Sequence, residues 1–105
     1  LARYREGRDA FLRALSLGAP HPDLLNELAI CLMELGELGE SAKRLREALA
    51  IEPENVKIIS NLGIVSLKQG NREEAGGFFR TVLALAPDDP VATRYLSALS
   101  AENSL

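Results

Sequence analysis

The sequence predicts an all-α fold of helix hairpins stacked in series, about six helices in all. Three observations predict it. First, the stretch from Asn61 to Pro87 matches an earlier one when slid back by 34 residues. Gly70 then falls on Gly36, Glu74 on Glu40, Leu83 on Leu49 and Pro87 on Pro53, while Leu62 falls on Leu28 and Phe79 on Leu45. A fixed period of this length is the signature of repeat architectures. Second, apolar residues recur three and four apart, the spacing of one face of a helix. Third, glycines and prolines stand where such segments must stop.

The elements follow in order. Residues 2–17 place Tyr4, Phe11, Ala14 and Leu15 at helical spacing, and the run Gly18, Ala19, Pro20, His21 and Pro22 ends it. That run reads as a connector, with His21 exposed between two prolines that hold the backbone extended. A second helix is expected over about 23–35, with Leu24, Leu25, Leu28, Ala29, Cys31, Leu32 and Leu35 apolar and Gly36 as its stop. Pro22 or Asp23 suits its first turn. A third is expected over about 39–51, carrying Ala42, Leu45, Ala48, Leu49 and Ile51 and ended by Pro53. A fourth, over about 56–69, fills its inner faces with Ile58, Ile59, Leu62, Gly63, Val65, Ser66 and Leu67. Its β-branched residues suit strands, but the 34-residue match to a clear helix outweighs that propensity. Asn71, with Glu74 three residues on, is placed to cap a fifth helix that runs to about Ala86. The last helix is expected over about 90–101, with Val91, Tyr95, Leu96, Ala98 and Leu99 inward and Thr93, Ser97 and Ser100 outward. A polar outer face is what the terminal helix of a stack requires. Residues 102–105 are expected to form a frayed tail.

Length and composition bound the rest. A chain of 105 residues is one domain at most by size. Its 47% apolar content excludes a disordered chain, and no apolar run approaches the roughly 18–20 residues of a membrane span. The net charge of −3 argues for no partner by itself. Its distribution is uneven: residues 1–21 set four arginines against Glu6 and Asp9, whereas residues 22–55 carry eight acids against Lys43, Arg44 and Arg46. These charges are read as the solvated faces of helices. One cysteine excludes a disulfide within the chain and fits a reducing, cytoplasmic setting. Without a starting Met, and with Leu1 opening directly into a helical pattern, the chain reads as a piece of a longer protein.

These residues together resemble the tetratricopeptide repeat (TPR) family, whose 34-residue unit pairs two antiparallel helices. Its loose signature is Leu-Gly in the first helix, Ala-x3-Phe in the second and Pro at the end. Residues 56–89 supply Leu62-Gly63, Ala75, Phe79 and Pro87; Ile59 and Ser66 depart from the family's Trp-like and Tyr-like positions. Residues 22–55 supply Leu28-Ala29, Ser41, Leu45, Ala48 and Pro53. Residues 1–21 resemble the second helix of a partial repeat through Tyr4, Gly7, Phe11 and Ala14, with Pro20 one place late. Residues 90–105 take the place of a C-terminal capping helix and tail. The resemblance implies a single TPR-like domain over residues 1–105, a short right-handed α-solenoid. Gly76-Gly77, inside the fifth helix, costs roughly 1 kcal/mol per glycine against Ala. A close packing contact, with the preceding helix, is the expected reason.

No constellation for chemistry is found. Cys31 and His21 lie in different elements, and a lone Cys at an apolar helical position packs as a small hydrophobe. CxxC, HExxH and phosphate-cradling loops are absent. The chain is therefore expected not to be an enzyme and to need no cofactor or metal. Its basic residues form no stripe for nucleic acid, and no basic amphipathic helix suits a membrane surface.

The resemblance implies a protein-protein interaction module whose first helices line a concave groove for a partner peptide or helix. Carried over, the groove residues are Asn26, Ile30, Met33 and Glu34, then Lys57, Ser60, Asn61, Ile64 and Lys68, with Arg94 from the last helix. Helical spacing puts each set on one face. Met33 would offer an adaptable apolar contact. Some family members grip the terminal carboxylate of heat-shock chaperones with Lys, Asn and Arg. Asn61 matches one such position, but Ile30, Val91 and Tyr95 stand where those members are polar, so no such clamp is expected. The alternative is a structural spacer or self-association element of a larger protein. In that reading Leu1, Tyr4, Phe11 and Leu15 form an open N-terminal edge through which two copies pair as a homodimer.

Overall fold

The computed structural model describes residues 1–103 of the chain. Six helices follow one another: α1 (Ala2–Leu17), α2 (Pro22–Glu34), α3 (Leu38–Ile51), α4 (Val56–Lys68), α5 (Arg72–Leu85) and α6 (Pro90–Asn103). Each expected helix is present, with ends within two residues of the expectation. The last extends through residues 102 and 103, which were expected in the tail; residues 104 and 105 lie outside the described residues. Contacts divide the chain into two compact units, Leu1–Pro53 and Glu54–Leu105. One domain was the expectation. Repeat units touch mainly their neighbours in sequence, so contact density is local.

The first unit holds α1, α2 and α3. Leu25, Leu28 and Ala29 of α2 and Leu45 and Ala48 of α3 are fully buried. Ser41, also fully buried, donates its hydroxyl to the Ala29 carbonyl at 2.7 Å, which satisfies a polar group enclosed by the hairpin. Ile51, one of the apolar residues of α3, is 48% exposed at the helix end. Helix α1 packs on α2 where Gly7 meets Cys31: a Cβ at Gly7 would stand 2.9 Å from the Cys31 sulfur. Arg8 adds an ion pair to Glu37 at 3.6 Å.

The second unit holds α4, α5 and α6. Gly63 admits the Phe79 ring, since a Cβ there would stand 2.7 Å from the ring's Cζ. In the first unit the same places hold Ala29 and Leu45, so the gap is filled by the opposite division of volume. Phe79 also stacks on Tyr95 of α6, with ring centroids 4.8 Å apart and planes 6° from parallel. On α6, Ala92 and Leu99 are buried, while Val91 and Ala98, expected inward, are exposed. The apolar face is thus rotated from the expected one toward Ala92.

The helix ends explain the punctuation. Gly36 and Gly70 adopt φ of 80° and 82°. Beyond α2, Gly36 N–H donates to Met33 and Glu37 N–H to Leu32; beyond α4, Gly70 N–H donates to Leu67 and Asn71 N–H to Ser66. Both are Schellman motifs, which satisfy carbonyls that a helix end leaves open. His21, expected to be only an exposed connector residue, caps α2: its Nδ1 accepts from Asp23 N–H at 3.2 Å. Asn55 caps α4 by accepting from Lys57 and Ile58 N–H. Asn71 caps α5 by accepting from Glu74 N–H at 3.3 Å, and Asp89 accepts from Ala92 N–H at 2.9 Å.

Candidate functional site

The candidate site consists of the solvent-facing stripes of α2 and α4, each described within its own unit. On α2, Asn26 and Ile30 are half-buried and Glu34 is exposed. Met33 is buried at 8% exposure, so the residue expected to offer an adaptable surface contact belongs to the core. Its position explains this: at about 100° per residue, Met33 lies roughly 60° off Ile30, toward the buried flank. On α4, Lys57 and Lys68 are exposed, and Ser60, Asn61 and Ile64 are half-buried. Arg94 of α6 is exposed.

Within each helix the register is the same. Positions 23, 30 and 34 of α2 fall within about 20° of one line along the helix, and so do positions 57, 64 and 68 of α4. Asp23 therefore belongs to the α2 stripe, although the resemblance-based set omits it. Its signal was the 34-residue match to Lys57. Ile30 and Ile64 occupy equivalent places at the centre of their stripes. Among the described residues no ion pair engages Lys57 or Lys68.

The N-terminal edge is partly covered. Leu1 is 71% exposed, but Tyr4, Phe11 and Leu15 are half-buried. The most exposed large apolar residue of α1 is instead Leu17, at 81%.

Two further features bear on chemistry. Cys31 is buried, and burial, with the Glu27 charge second, pushes its thiol above the ordinary 9.0. Both effects disfavour the thiolate, the nucleophilic form. A cleft of about 390 Å³ opens between α5 and α6, lined by Arg72, Glu73, Gly76, Arg80, Leu96, Leu99 and Ser100. Gly76 lies against the Arg80 guanidinium, 3.2 Å from where a Cβ would stand, and against Leu99 of α6. The contact expected with the preceding helix is therefore made with α6 and with Arg80. Among the described residues no group of His, Cys, Asp and Glu is arranged to hold a metal, and no helix is long and apolar enough to cross a membrane.

Family profiles described as tetratricopeptide repeat match residues 37–100 and residues 1–56. The chain belongs to the tetratricopeptide repeat family. Over 73 residues this TPR chain is 33% identical to the cell division cycle protein 16 homologs of Homo sapiens and Mus musculus. That alignment covers 70% of the chain and 12% of each relative, so the chain spans a small part of those proteins. Among solved structures, the first TPR of Spaghetti (RPAP3) bound to an HSP90 peptide aligns with a TM-score of 0.91 at 22% identity, covering 99% of this chain and 82% of that one. The first TPR domain of human RPAP3 aligns at 0.88 and 24% identity, covering 99% and 86%. The second TPR domain of human RPAP3, in complex with an HSP70 peptide, aligns at 0.85 and 21% identity, covering 94% and 82%. At these identities the likeness is one of fold: an all-α helical-repeat solenoid.

Proposed function

We propose that this chain is a non-enzymatic protein-interaction module that holds a partner peptide or helix on the exposed stripes of its first helices. One observation carries this reading. Ile30, with Asn26 and Glu34 on α2, and Ile64, with Lys57, Ser60, Asn61 and Lys68 on α4, stand at the same place in successive repeats, each half-buried rather than in the core. An apolar centre with polar surroundings is the composition of a contact surface. The RPAP3 domains, bound to chaperone peptides, support the same class of function.

The mode of grip differs in our reading. Ile30, Val91 and Tyr95 offer no charge where a terminal carboxylate would need one, and Tyr95 has its ring committed to Phe79. An internal segment of the partner is therefore the proposed ligand.

The test is affinity capture from a lysate of the source organism, comparing the wild-type chain with an Ile30→Glu, Ile64→Glu variant. Circular dichroism first establishes that both are folded. A partner captured by the wild type and lost from the variant is the expected result. Equal capture by both would move the function to another surface.

A further inference from the structure

Successive repeats here carry the same stripe with opposite charge. On α2 it reads Asp23, Ile30, Glu34, with Glu27 beside it; one period on, α4 reads Lys57, Ile64, Lys68, with Asn61 beside it. The four charged residues of the two stripes are exposed and the two isoleucines half-buried. Geometry and apolar centre are kept while Asp23 and Glu34 give way to lysines and Glu27 to the neutral Asn61. Helix α4 contains no acidic residue. The fold does not require this, because neither lysine forms an ion pair among the described residues. Lys68 sits in the last turn, where a cation suits the helix end, but Lys57 sits in the first turn, where a cation is disfavoured.

From this inversion we propose that the α4 stripe is a selective docking site for an acidic protein segment. That segment carries carboxylates at both ends of an apolar residue. The proposal rests on the interaction-module reading and names the chemistry of its partner. Lys57 and Lys68 are eleven residues apart, about 16 Å along the helix axis. An extended peptide covers that distance in about five residues. The ligand thus places an acid, an apolar side chain over Ile64, and a second acid within a short stretch. It needs no free C-terminus.

The probe is an acetylated, amidated heptapeptide, Glu-Glu-Ala-Leu-Ala-Glu-Glu, whose binding is followed by isothermal titration calorimetry beside its Gln and Lys analogues. Blocking both ends removes any terminal carboxylate. The Glu peptide is expected to bind the chain at least tenfold more tightly than either analogue, and more weakly as salt rises. Lys57→Glu with Lys68→Glu abolishes that preference, whereas Asp23→Lys with Glu34→Lys preserves it. Both variants change only exposed charges. Equal binding of the Glu and Gln peptides, lost in Ile64→Glu, would overturn the acidic preference while keeping the stripe as a binding surface. Glu-peptide binding that neither Ile64→Glu nor the double lysine variant reduces would overturn both readings. Absence of binding by all three peptides would overturn the acidic-segment proposal, leaving the module reading to the capture comparison.

Discussion

Gly63 and the pair Gly76-Gly77 are all helical glycines, yet they respond to opposite demands. A methyl at Gly63 would stand 2.7 Å from a fully buried ring. The ring is fully buried and stacked on Tyr95, which opposes its displacement. Overpacking of this kind costs about 1–3 kcal/mol, against the roughly 1 kcal/mol that Ala gains over Gly in a helix. Gly63→Ala is therefore expected to lower stability by up to about 2 kcal/mol in urea unfolding. A methyl at Gly76 meets the end of the flexible Arg80 side chain, and one at Gly77 meets nothing closer than 4.0 Å. Gly76→Ala and Gly77→Ala should each raise stability by about 0.5–1 kcal/mol. A loss at either would show that the glycine is needed for packing. The sequence distinguished Gly63 through its Leu-Gly signature; it could not separate the other two, because the sign depends on which atom lies opposite. Cys31 makes a different residue-scale prediction. Its folded pKa lies above the ordinary value, so the associated stability is present below about pH 9 and is lost as pH rises and the unfolded chain ionises first. Urea midpoints should fall between about pH 8 and about pH 10, and fall less in Cys31→Ala. Identical slopes would remove the thiol from the account.

Element boundaries were legible because each carries a local device. Gly36 and Gly70 adopt the left-handed conformation that both Schellman motifs require. Forcing a side chain into it costs about 1–2 kcal/mol, so Gly70→Ala should destabilise by that amount while Gly39→Ala, in open space, should not. Asn71 was recognised as a cap from Glu74 three residues on, but the reciprocal half of the pattern is altered. The Asn71 N–H is already given to Ser66 in the Schellman turn, so Glu74 accepts instead from Asn71 Nδ2 at 2.9 Å and from the Ser66 hydroxyl at 3.1 Å. Asn55 was readable and was not read; an Asn immediately before the first apolar residue of a helix is the ordinary cap signal. Asn55→Ala should cost about 1 kcal/mol in the same unfolding assay, through the loss of bonds to Lys57 and Ile58 N–H. The α2 and α4 stripes were partly legible for the same periodic reason. Met33 was misplaced because helical spacing alone does not say on which flank the core closes.

Across the whole chain, local stability should be graded by how much each helix buries. The cores of α2 with α3 and of α4 with α5 hold side chains at 0–3% exposure, including Leu25, Leu45, Ile58 and Phe79. Helix α1 buries none fully. It also lacks a side-chain cap, an acid in its first turn and a base in its last turn, so the usual small stabilising terms at helix ends are missing. What holds it is half-burial of Tyr4, Phe11 and Leu15, the close approach of Gly7 to Cys31 and the Arg8–Glu37 ion pair. An exposed ion pair contributes about 0–1 kcal/mol, so packing must supply most of it. The sequence could show that α1 resembles a second helix without its first, since Gly7, Phe11 and Ala14 fit the repeat. It could not show how much of the helix α2 covers. Hydrogen exchange should find α1 amides opening first, well before the mid-helix amides of α2 and α4. Gly7→Val should deepen that difference by pressing α1 away from Cys31, and should leave exchange in α4 unchanged because α4 lies in the other compact unit. Protection of α1 equal to that of α4 in the wild-type chain would mean that half-buried contacts stabilise it as strongly as a closed hairpin core.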